Sequence, residues 1–165
     1  MSRGFVKEDD QEEPPFVPPR ASLPPDIENY VTPEGFEQLN QERDALLEER
    51  KQTRLLSETD RRRENAVIDG KIILLDERIK SAQVVERSGV STEVRFGVHV
   101  RFAPIESGGT ERTFKVVGVD EANIRENKVA FTAPIVQAMM GKKKGEPFSF
   151  TQGGKTHAFE VREIR

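Results

Sequence analysis

The sequence predicts an α+β chain in which an N-terminal antiparallel coiled-coil hairpin precedes a small antiparallel β domain with one short helix. A change of hydrophobic period predicts it. Apolar residues recur at three- and four-residue steps between Thr32 and about Arg87, then at every second residue from Glu93 onward. Composition supports the division, because 33% charged residues, 35% hydrophobic residues and no tryptophan leave 165 residues too little apolar material for one large core. The expected arrangement is a globular module from which a helical finger projects.

Residues 1–31 read as a disordered acidic, proline-rich tail. They hold Pro14, Pro15, Pro18, Pro19, Pro24 and Pro25 beside Glu8-Asp9-Asp10-Gln11-Glu12-Glu13, and such a stretch cannot bury enough apolar surface to offset its ordering entropy. The alternative is a docking peptide built on Phe5-Val6 or Phe16-Val17. Residues 32–90 read as the hairpin. Thr32 is placed to cap its first helix and Pro33 to occupy the first helical position. Phe36, Leu39, Leu46 and Leu55 recur at roughly coiled-coil spacing, with Arg43 and Arg50 in seam positions. Ile68, Ile72, Leu75, Ile79 and Ala82 form a second, cleaner stripe. Folding back about residue 60 sets Leu39 opposite Ala82, Leu46 opposite Leu75 and Leu55 near Ala66. The rival is one continuous helix, since Ser57 to Asn65 contains neither Gly nor Pro. The stripes would then be exposed, so the hairpin is preferred.

Residues 93–165 read as the β domain. Val94, Phe96, Val98, Val100 and Phe102 alternate with Arg95, Gly97, His99, Arg101 and Ala103, which is a strand with one buried face. Thr113 to Val119 and Lys128 to Thr132 are further strands. Pro134 opens a short helix that Gly141 stops, and two last strands meet at Gly153-Gly154.

Charge and motif content narrow the function. Residues 93–165 carry twelve basic against nine acidic groups within a chain of net charge -3, too sparse a basic field to make duplex nucleic acid the default partner. No cysteine is present to form disulfides or thiolate metal sites. No apolar run approaches the ~18 residues of a membrane span and no secretory signal opens the chain, so a cytoplasmic monomer without membrane contact is expected. His99 and His157 read as surface residues, and no phosphate-loop, dinucleotide or zinc-protease motif occurs.

In order and spacing the chain resembles the Gre family of bacterial transcription elongation factors. The resemblance covers roughly residues 30–165 and rests on Tyr30-Val31-Thr32-Pro33-Glu34-Gly35-Phe36, Asp69-Gly70-Lys71-Ile72, Ser81-Ala82-Gln83-Val84-Val85, Phe96-Gly97, Val117-Gly118-Val119-Asp120-Glu121-Ala122, Ala133-Pro134-Ile135 and Gly141-Lys142-Lys143. It implies an FKBP-like C-terminal domain that docks at the secondary channel of bacterial RNA polymerase while the finger enters the channel. The chain would then be an accessory factor with no catalytic residue of its own. In cleavage-stimulating members, two tip acids help hold a Mg²⁺ shared with the polymerase, whose own site cuts backtracked nascent RNA.

The tip departs from the family pattern. Anchoring the second arm on Asp69-Gly70-Lys71-Ile72 leaves the family's tip motif in a gap and the finger shorter by about seven residues per arm, or ~10 Å of reach. Matching Glu64 to the tip glutamate instead puts Arg61 in the other acid's place. The candidate tip acids are therefore Glu58, Asp60 and Glu64, beside the basic run Arg61, Arg62 and Arg63, with no metal expected on the isolated chain. The resemblance assigns polymerase docking to Asp120, Glu121, Pro134 and Ile135. A Gre-like regulator that stimulates RNA cleavage, a non-cleaving occupant of the channel and an FKBP-like prolyl isomerase all stay open.

Overall fold

The Thr32 hydroxyl accepts the Gly35 N–H at 2.9 Å, and Pro33 fills the first turn, where a missing N–H costs no hydrogen bond. These two residues start α1 (Pro33–Gln52) in a computed structural model that describes residues 13–106 and 108–165. Arg50 and Lys51 close α1 where its dipole favours cations, and a 3₁₀ turn over Thr53–Leu55 follows. The chain reverses at Leu56 and Ser57, ahead of the apex expected about residue 60. Leu56 is extended, and Ser57 caps α2 (Glu58–Ser81) by accepting the Asp60 N–H at 3.2 Å. A cap at an extended residue makes the reversal without glycine or proline.

Leu39, Leu46, Ile68 and Leu75 are buried in the hairpin seam, with Phe36, Ile72, Ile79 and Ala82 packed around them. The seam arginines are met from the other arm: Arg43 pairs with Asp76 and Arg50 with Asp69, each at 2.6 Å. Leu55 does not join Ala66 in the seam, being 77% exposed. Buried Thr53 closes that end instead, its hydroxyl 2.8 Å from Asn65 Oδ1. At the opposite end β1 (Tyr30–Val31) runs parallel to β2 (Gln83–Val84) and ties the two arms together.

The tail expected over 1–31 ends earlier than the sequence suggests. The stretch from Val17 to Tyr30 packs against the rest of the chain through Val17, Arg20, Leu23, Asn29 and Tyr30. Tyr30 and Val31 belong to a strand. Phe5-Val6 and the acidic run through Glu12 lie outside the described residues.

The C-terminal sheet has the order β5-β4-β3-β7-β6, comprising β3 (His99–Pro104), β4 (Arg112–Val117), β5 (Lys128–Ala130), β6 (Pro147–Gln152) and β7 (Lys155–Ile164). Between Ala130 and Pro147 lies α3 (Pro134–Met139). One strand corrects the antiparallel expectation: β5 pairs parallel with β4, making the sheet mixed. The chain from Val119 to Asn127 crosses over through a 3₁₀ turn at Ile124–Glu126 and re-enters in the same direction. The strand expected from Glu93 likewise starts later. Val94 and Val98 are buried as the alternation predicts, but Gly97 at φ +84° bends the chain before the ladder begins at His99. Val136 and Met139 of α3 reach the core that Val98, Val100, Phe102, Val116 and Val161 form. No helix among the described residues is long and apolar enough to cross a membrane.

Leu75 is fully buried in a seam that few large apolar residues fill. Leu75→Ala is expected to cost about 2–5 kcal/mol, read by urea denaturation, because a narrow seam between two helices cannot collapse fully onto the cavity.

Candidate functional site

Glu58 and Asp60 sit in the first turn of α2, where carboxylates favour the helix dipole, and Glu64 lies in its second turn. Glu58, Asp60 and Glu64 are all exposed, as are Arg61, Arg62 and Arg63. Two of the acids are engaged locally. Glu58 pairs with Arg62 at 2.6 Å across one turn, and Asp60 accepts the Ser57 hydroxyl at 2.7 Å. Asp60 and Glu64 are four residues apart and share a helix face, whereas Glu58 and Asp60, two apart, do not. Among the described residues no group of three or more His, Cys, Asp or Glu side chains converges on a common point. The tip also presents Leu55 and Leu56 to solvent.

The four residues that the resemblance assigns to docking fall into two sets. Pro134 is exposed and Ile135 half-buried at the start of α3, with Ile135 packed against the sheet core. Asp120 and Glu121 have buried side chains and face the base of the finger. Arg20 Nε donates to Asp120 at 2.9 Å, and Arg78 Nε of α2 lies 3.1 Å from its other oxygen. The Thr32 hydroxyl donates to Glu121 at 2.5 Å, with the Lys128 ammonium 3.7 Å away. One hydroxyl therefore caps α1 and fastens it to the C-terminal domain. The Tyr30 ring adds an apolar contact between Phe96 and Phe131, at centroid distances of 5.9 and 5.6 Å.

Sequence reasoning missed three parts of this arrangement. Arg20 lay within a proline-rich stretch read as tail, and Arg78 carried no sign beyond its place in the last turn of α2. Ile124, 88% exposed beside Asp120 and Glu121, had a legible signal: a lone apolar residue inside a turn.

Open clefts flank the junction. One of about 510 Å³ is lined by Thr32, Glu34, Arg87, His99, Lys115 and Arg165 among others, with no Phe, Tyr or Trp among its lining residues. The phenylalanines Phe102, Phe114, Phe148 and Phe159 pack on one another inside the domain. Nothing in these clefts offers the aromatic lining a proline ring would need. Burial lowers the His99 pKa, and Lys115, Arg87 and Arg165 lower it further by repulsion.

Residues 89–165 match the family described as "Transcription elongation factor, GreA/GreB, C-term". The transcription elongation factor GreA of Thermodesulfovibrio yellowstonii is 30% identical over 150 residues, covering 81% of this chain and 94% of its own. That of Acidiphilium cryptum is 34% identical over 105 residues, covering 63% of this chain and 66% of its own. The match thus spans just under two thirds of the Acidiphilium protein. The crystal structure of GreA factor homolog 1 of Thermus thermophilus aligns with a TM-score of 0.39 at 22% identity, covering 84% of this chain and 99% of that one.

Two variants read the junction. Thr32→Val removes both the cap and the bond to a buried carboxylate, and is expected to cost about 2–3 kcal/mol in urea denaturation, with Thr32→Ser recovering most of it. For His99 the folded pKa lies below the ordinary value of 6.5, so the unfolded chain takes up the proton more readily. Its contribution is complete above that value and is lost as pH falls from there toward the folded pKa. His99→Gln is expected to flatten the decline in stability between about pH 7.5 and about pH 5, measured by denaturation at each pH.

Proposed function

We propose, since this chain belongs to the GreA/GreB family of transcription elongation factors, that it binds bacterial RNA polymerase at the secondary channel and regulates elongation by placing its finger there. The observation that carries the reading is the two-part architecture, with a hairpin held at a defined place on a separate sheet domain by Thr32, Arg78, Asp120 and Glu121. Docking is assigned to the face carrying Pro134, Ile135 and the loop of Asp120 and Glu121. The side chains of those two acids hold the finger in place, and Ile124 supplies the loop's exposed apolar contact.

Occupation of the channel without RNA cleavage is the first choice for the mode of action. Glu58 and Asp60 have local partners, and three consecutive arginines stand between Asp60 and Glu64. Cleavage stimulation is the second reading. An exposed ion pair is worth only about 0.5 kcal/mol, so Arg62 would not keep Glu58 from a stronger cation. Asp60 and Glu64, on one helix face, are the two acids that would meet a Mg²⁺ held by the polymerase, where the metal would polarise the water that attacks the RNA.

The test is RNA cleavage in backtracked elongation complexes, with a pull-down of the polymerase in parallel. Binding without added cleavage, unchanged by Asp60→Ala with Glu64→Ala, is the expected result. Cleavage that those substitutions abolish would establish the second reading. Ile124→Asp is expected to weaken the pull-down roughly tenfold. An unaltered pull-down with that variant would move the docking face elsewhere, and no binding by the native chain would overturn the function.

A further inference from the structure

Residues 17–28 touch both bodies of the molecule. Val17 lies so close to Gly70 of α2 that a Cβ on that glycine would fall 2.5 Å from the valine methyl. Arg20 spreads its fork between α1 and the C-terminal domain: its terminal nitrogens donate to both Glu42 oxygens at 2.8 and 3.0 Å, while Nε donates to Asp120 at 2.9 Å. The Ala21 carbonyl accepts from Arg78, which also pairs with Asp120. Leu23 packs against the C-terminal core. Pro18, Pro19, Pro24 and Pro25 restrict the backbone beforehand, which lowers the entropy lost when the segment lies down.

The covalent path between the bodies has little stiffness of its own. Residues 85–92 carry no helix or strand. Two domains joined in that way move relative to each other unless their interface is extensive. We infer that residues 17–28 are an intramolecular brace that fixes the direction of the finger on the C-terminal domain, with Arg20 as the positioning residue. Only a guanidinium suits this place, since one planar group must serve carboxylates on two elements at once, and a lysine is a single point of charge. The brace lies ahead of residues 30–165, over which the family resemblance runs. Its value to function rests on the reading that the finger must point into a channel.

The experiment measures the direction itself. The chain has no cysteine, so Thr59→Cys and Lys155→Cys place one spin label near the finger tip and one on the sheet domain of the full-length protein. The distance distribution by pulsed electron resonance is expected to be narrow in the parent and roughly twofold broader with Arg20→Ala, because the contacts that remain, Thr32 with Glu121 and Arg78 with Asp120, hold the finger only at its base. Glu42→Ala, an exposed helix position, is expected to broaden it in the same way while circular dichroism and the melting temperature of the sheet domain stay close to the parent. Arg20→Lys is expected to behave as Arg20→Ala. A narrow distribution with lysine would show that charge alone suffices and would overturn the assignment to the fork. Distributions unchanged by both Arg20→Ala and Glu42→Ala would overturn the brace. The parallel polymerase pull-down separates the two claims: broadening in a chain that does not bind polymerase supports the brace and removes the proposed function.

Discussion

Asp120 and Glu121 are neighbouring carboxylates with buried side chains, and the relation of the finger to the sheet follows from how those charges are met. A buried carboxylate without partners costs several kcal/mol, so the surrounding elements must bring donors to it. The donors come from the N-terminal segment (Arg20), the end of α2 (Arg78), the cap of α1 (Thr32) and the start of β5 (Lys128). Glycines make the approach possible. A Cβ on Gly35 would lie 2.5 Å from a Glu121 oxygen, and one on Gly118 would lie 2.6 Å from the Tyr30 carbonyl. The junction is therefore specified by charge and by the room left for it.

The finger uses a different logic. Its seam has few large apolar residues, and two seam positions are arginine. Each is paired across the hairpin, Arg43 with Asp76 and Arg50 with Asp69, so the polar seam positions still fix which residues of the two arms lie opposite each other. Exposed pairs of this kind add little stability. What they add is register, which together with the β1–β2 tie and the Thr53–Asn65 contact sets where the tip ends. The chemistry available at that tip is set by the helix period, which puts Asp60 and Glu64 on one face and Glu58 with Arg62 on another.

Much of this was legible in the sequence. The stripe Ile68, Ile72, Leu75, Ile79 and Ala82 and its partners Leu39 and Leu46 gave the hairpin, and the alternation Val94 to Phe102 gave the buried face of the first domain strand. Thr32 was readable as a cap. The readings that failed were those that depend on distant partners. Leu55 has the spacing of a seam residue, but the helix had already tightened into a 3₁₀ turn that points it to solvent. The crossover to β5 follows a short loop of a length that serves equally for a hairpin, so its direction was not readable. Asp120 and Glu121 were assigned to docking by the resemblance, and nothing in the local pattern shows that their side chains turn inward.

Taken by itself, the sequence determined the division into hairpin and sheet, the helix starts and the faces that are buried, because periodicity and capping act over a few residues. Tertiary structure alone decided that a proline-rich stretch lies down on the molecule and that two acids face inward. The contact of Arg20 with Asp120 joins residues 100 positions apart. No local pattern encodes such a partner, since a charged side chain has the same appearance in sequence whether water or another chain segment satisfies it.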